Sequence, residues 1–258
     1  MTPPTGQVST TDVKQMEGDF HKATESVRTA LHSVNSKFGE FETSTAGIRI
    51  ALQIAQPAIG QWVNDNIETA RKRIDEIAGK ANYVLDHCTP VLSLMTTSFH
   101  WLDQVQSPLS DLAFTAGNPA DANLAYWQGG AATAYGTKQG QQQAALQDVK
   151  DKAAFISGWL MGIARSNVDY MTTMSQILTK IVGKIVQAIA DAAGVVTIVL
   201  AATALSDSVG DLVTDGLNLL VDEINRFVAM ADDIRQVREQ TGDHSNLPGG
   251  RWPEAVYG

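Results

Sequence analysis

The sequence predicts an all-α protein, an elongated bundle of long antiparallel helices with a helical hairpin at a Trp-x-Gly step. Three observations predict it. Apolar residues recur at alternating steps of three and four in four separate segments, which is the spacing of a helix seam. Only eight prolines occur in 258 residues, and most lie where a helix could end. No stretch reads as part of a β-sheet.

Residues 1–10 are polar, hold Pro3 and Pro4, and read as a flexible N-terminus. They lack the basic stretch and apolar core of a conventional secretory signal peptide, so export would need another route. Long helices are expected over 11–115. The first seam is Val13, Met16, Phe20, Ala23, Val27, Ala30, Val34, Phe38 and Phe41. Ser9, Thr10 and Asp12 offer N-cap chemistry at its start, and Gly39 and Gly47 are the places where it would end or kink. Pro57 is expected to open the next helix. Its seam is Val63, Ile67, Ala70, Ile74, Ile77, Ala81, Val84, Cys88, Val91, Met95, Leu102 and Val105, with a kink expected at Pro90. Pro108 and the run Ala116-Gly117-Asn118-Pro119 break the rhythm, so 116–124 reads as a connection.

Residues 116–180 are expected to hold the turn at Trp127 and then a long helix. Its seam is Leu146, Val149, Ala153, Ile156, Leu160, Ile163, Tyr170, Met174, Ile177 and Ile181, with Asn167 at a seam position. A polar residue there fixes register or partner at a cost in stability. A half-exposed asparagine at a bundle edge fits that position equally well.

Residues 181–206 form an apolar helical segment in which Asp191 is the only charge from Ile185 to Ser206. A run of about 20 apolar residues makes roughly 30 Å of helix, enough to span a bilayer. Alanine and glycine dominate it, however, and Lys180, Lys184 and Asp191 interrupt it. It is therefore expected to be a hairpin buried in a soluble bundle, exposed only on assembly or membrane contact. Val195, Val196, Ile198, Val199 and Leu200, with Asp191, are the candidate membrane-contact residues. An amphipathic helix over 207–239 follows, with Val213, Leu217, Leu220, Ile224, Phe227, Ala231 and Ile234 on its apolar face. Residues 240–258 read as a flexible tail.

The net charge of −9 disfavours nucleic acid and simple adsorption to anionic lipid. Cys88 is the only cysteine, so no intramolecular disulfide can form, and it reads as a small buried hydrophobe. His21 and His32 are separated by about 16 Å of helix, too far to share a metal. No His-Glu-x-x-His run, Gly-x-Ser-x-Gly elbow or phosphate loop occurs. The expectation is a protein without catalytic residues, cofactor or metal.

One segment is more specific: Trp127-Gln128-Gly129-Gly130-Ala131-Ala132-Thr133-Ala134-Tyr135. Gly129 can supply the backbone freedom of a tight turn, and Trp127 an aromatic anchor for a partner. Ala131 and Ala132 allow another helix to approach closely. The segment resembles the WXG family of type VII (ESX) secretion substrates. These fold as helical hairpins with Trp-x-Gly at the turn and a small-residue helix start, and Trp127, Gly129, Ala131, Ala132 and Tyr135 match that pattern. The wider layout looks like the larger ESX secretion-associated proteins. The resemblance implies a secreted or cell-surface protein, exported without a signal peptide, whose partner is the type VII machinery or a paired helical protein. A departure is the family's export signal, Tyr-x-x-x-Asp/Glu: four residues after Tyr170 stands Met174, and four after Tyr83 stands His87. A paired partner could supply that signal. The competing readings are a membrane-active, pore-forming helical protein using 181–206, and a coiled-coil structural adaptor. A homo-oligomer is open under each.

Overall fold

The computed structural model describes residues 10–88, 90–117, 126–192, 194–247 and 251–253, and within them it is all helix and connection, with no strand. The helices are α1 (Thr10–Ala55), α2 (Pro57–His87), α3 (Pro90–His100), α4 (Ser107–Gly117), α5 (Gly130–Asp191) and α6 (Val195–Gly242). A π-helical stretch, Trp101–Gln106, joins α3 to α4. The chain divides into two compact units.

One unit comprises Gln15–Pro90 and Arg165–Arg226. It is a four-helix bundle made of two hairpins, α1–α2 and α5–α6. Each helix contributes its seam to one shared core: Val27, Val34 and Phe41 from α1, Val63, Ile67 and Ile74 from α2, Met174, Ile181 and Ile185 from α5, Ile198, Leu205 and Val209 from α6. Each of these is exposed by no more than 2%. Burying side chains of this size stabilises a fold by about 1.5–3 kcal/mol apiece, which is why helices with unremarkable end caps hold together.

The seam carries α1 straight through Gly39 and Gly47, where an end or kink was expected. A glycine inside a helix costs only about 1 kcal/mol, and both lie off the buried stripe. Pro57 does open α2, where its missing N–H is not needed. The α1–α2 link is the single residue Gln56. The helices close on Gly60, where a Cβ would stand 2.7 Å from the Gln53 backbone. Below that contact Arg49 Nε donates to Asn64 Oδ1 at 2.8 Å, and Asn64 Nδ2 donates to Gln53 Oε1 at 3.3 Å.

Helices α2 and α6 are parallel neighbours. Arg73 Nη1 donates to the Ser206 carbonyl at 3.0 Å, and its guanidinium occupies the space any side chain at Gly210 would need. One turn further along α2, Ile77 fills the place of a side chain at Gly216, with its Cδ1 2.6 Å from where a Cβ would be. Both helices therefore begin at the same end of the bundle.

The other unit contains Val91–Ala164 and Phe227–Gly258. Pro90 starts a new helix instead of kinking an existing one, because α2 has already stopped at His87. Pro108 does not stop the chain either. The wider π turn brings the Ser107 N–H onto Leu102 O and eases the ring past the turn before it, so helix continues to Gly117. Val91, Met95 and Phe99 of α3 and Leu146, Ala153 and Leu160 of α5 are buried. Ser98 Oγ donates to Ser157 O at 2.9 Å and lies 3.1 Å from its Oγ, so a buried serine pair ties α3 to α5.

The described part of the tail is docked, not free. Lys152 Nζ donates to the Asp243 carbonyl at 2.8 Å while holding Asp148 at 2.7 Å, and Gln142 Nε2 donates to the Pro253 carbonyl at 2.8 Å. The Ser245 N–H and hydroxyl bond the Asp243 carboxylate and hold it below the usual carboxylate range. The side chains of Val13, Ile224, Phe227, Ala231 and Ile234, together with Ser9, residues 118–124 and residues 254–258, lie outside the described residues.

Candidate functional site: an aromatic corner and an apolar end

The first candidate site is the corner that opens α5. Gly129 has φ +100°, the only positive φ among the described residues. Its carbonyl accepts the Thr133 N–H at 3.1 Å and the Thr133 hydroxyl at 3.3 Å, so Gly129 caps the helix. The reversal turns Trp127 back along the first two turns of α5, where its ring meets Tyr135 with centroids 5.6 Å apart and planes tilted by 52°. Trp127 is 44% and Tyr135 37% exposed, so the pair forms a small aromatic surface, not part of the core. Ala131 is exposed and Ala132 half-buried beside it. Tyr126, which the motif did not single out, is more exposed than either ring of the pair. Gln139 Nε2 donates to the Ala116 carbonyl at 2.6 Å, fastening the end of α4 to α5 near this corner.

Asn167 sits half-buried on the α5 seam. Cys88 is half-buried too, its Sγ donating to Leu85 O at 3.0 Å, and burial pushes its thiol pKa up. Among the described residues no group of three or more His, Cys, Asp or Glu could hold a metal ion.

Residues 181–206 are not one helix. α5 ends at Asp191 and α6 begins at Val195, so the segment is the tip of a hairpin, and α6 runs on past 207 without a boundary. Gly194 starts α6: its carbonyl accepts the Ile198 N–H at 2.9 Å, and its own N–H donates to Thr197 Oγ1 at 2.9 Å. The threonine does without charge what a glutamate does in a capping box. The expected burial holds for only half of the segment. Ile185, Ala188, Ile198, Ala202 and Leu205 are buried, and Val199 is half-buried. Val196 is 77% and Leu200 67% exposed, and Asp191 is exposed beside them. The side chain of Val195 lies outside the described residues. By length and composition Val196–Asp222 could cross a membrane, but it carries Asp207, Asp211 and Asp215 and gives one face to the core.

Sequence reasoning missed the companion of this tip. Ile50, Ile54, Ile59 and Trp62, around the α1–α2 link, are also exposed. The signal was available: Ile50 to Asn64 holds no charged residue, just as Ala192 to Ser206 holds none.

No protein-family model, no curated protein and no solved structure matches this chain. The fold class stands on its own geometry: an all-α protein containing a four-helix bundle.

Proposed function

We propose that this chain is a secreted type VII (ESX) substrate or secretion partner that works by helix–helix contact, not by catalysis. One observation supports the reading above the others. Trp127 and Tyr135, the two aromatics of the Trp-x-Gly pattern, stand together and half-exposed at the start of α5, held there by the positive φ of Gly129. An aromatic pair on a rigid helix start is the kind of anchor a helical partner buries. Because none of Tyr83, Tyr126, Tyr135 and Tyr170 is followed at four residues by Asp or Glu, the partner, in this reading, carries the export signal and the two leave as a pair.

The test compares culture filtrate with cell lysate in strains with and without a type VII system. Export is expected only where the system is intact, and Trp127→Ala should reduce it at least tenfold. A half-exposed ring should cost less stability than the about 3–5 kcal/mol lost on truncating a core aromatic, so circular dichroism and thermal melting should change little. Equal secretion without the system, or export falling only in step with the folded fraction, overturns the reading.

A further inference from the structure

We infer that the end of the four-helix bundle formed by the two hairpin tips is a membrane-contact surface, which docks onto a bilayer without crossing it. This does not depend on the secretion reading. Ser206 against Arg73 and Gly216 against Ile77 make α2 and α6 parallel, so the α1–α2 link and the α5–α6 link share one end of the unit. From Arg73 back to Pro57 is about 24 Å of helix, and from Ser206 back to Val195 about 17 Å. The two tips are thus nearly level. Between them they expose Ile50, Ile54, Ile59 and Trp62 from one hairpin and Val186, Val196 and Leu200 from the other.

Depth identifies the occupant. Each of these side chains lies within five residues of the end of its helix, or about 8 Å at 1.5 Å per residue. Amphipathic elements that lie in the bilayer interface bury their apolar side about 5–10 Å deep. The first charges on α1 and α2 come just behind that level, Arg49 and Asp65, about 9–12 Å from the tips, and α6 has none until Asp207, about 18 Å along it. On α5 Asp191 stands at the tip, ahead of Lys184. Trp62 sits at the rim, where an indole favours the headgroup region. A protein partner is commonly specified by charges at an interface rim, and on α1, α2 and α6 this end carries no charge until that depth. Its charged groups, Arg49, Lys184, Asp65 and Asp191, balance, so a zwitterionic bilayer suffices and anionic lipid adds nothing. Asp191, at the tip itself, is the one charge at the level of these apolar side chains and opposes their immersion.

The test is co-flotation of the full chain with phosphatidylcholine vesicles. Wild type should float, and should still float in 1 M salt because the attraction is apolar. Ile54→Glu and Leu200→Glu, at exposed positions that spare folding, should each lower the bound fraction at least tenfold, and Asp191→Asn should raise it. Tyr83→Glu is the control, since Tyr83 is equally exposed on the same unit but about 39 Å along α2 from the tip. Bound protein should leave an encapsulated dye in place. Failure of the wild type to float overturns the inference, as does equal loss with Tyr83→Glu. Dye release would replace shallow contact with insertion of α6. A dimer that Ile54→Glu dissolves, with no vesicle binding, would assign the end to a second copy of the chain.

Discussion

At the scale of single residues, Gly129 and Cys88 make the sharpest statements. The position of Gly129 is open to a side chain, so a substitution there meets no clash, only the backbone penalty of a positive φ. Gly129→Ala is therefore expected to cost about 1–2 kcal/mol, read by urea unfolding, and to loosen the Trp127–Tyr135 contact. Cys88 is governed by burial, which raises its pKa, opposed by the hydrogen bond to the backbone. Its folded thiol keeps the proton to higher pH than the unfolded one. Its contribution to stability is complete below about pH 8.5 and is lost as pH climbs through the raised value. Alkylation of Cys88 in the native protein should accordingly run several-fold slower than in the denatured chain at pH 8. Equal rates would show that the thiol is not shielded.

Among the elements, the tail departs most from its expectation. Gly, Asn and Pro after Gln240 suggest a free end, and composition cannot reveal that Lys152 and Gln142, far back on α5, hold its carbonyls. Lys152→Met should remove the Asp243 anchor and the Asp148 pair together. Cleavage beyond Gly242 in limited proteolysis is then expected to speed up while helix content stays constant. The seams, in contrast, were legible almost residue by residue: Phe20, Val27, Val34 and Phe41 on α1, and Val63 through Ala81 on α2, are buried as their spacing implies. Helix interruptions were harder to read. A glycine or proline announces a local cost, but whether the helix yields depends on how much buried seam lies on either side. Gly39 and Gly47 were carried through, Pro108 was absorbed by a π turn, and Pro90 met a helix that had already ended.

For the molecule as a whole, the pairing of distant elements was the missing information. The apolar run 192–206 was visible in the sequence, and so was the uncharged run 50–64, but nothing in a linear pattern says that two such runs meet at one end of a bundle. That is read from Ser206, Gly210 and Gly216, small residues on α6 that meet Arg73 and then Ile77 in the order of a parallel pair. The candidate corner was legible for the opposite reason, since its parts lie within nine consecutive residues.

The α5 seam has a consequence for how such a chain can change over time. Leu146, Ala153, Leu160, Asn167, Met174, Ile181 and Ala188 follow one another at steps of seven in a single uninterrupted helix, and all but Asn167 are buried. Inserting one residue rotates every later side chain by about 100°, which would turn the buried stripe outward along the rest of the helix. Divergence within α5 is thus confined to replacement, or to gains and losses of whole heptads. Drift in length must collect in the links on either side of it.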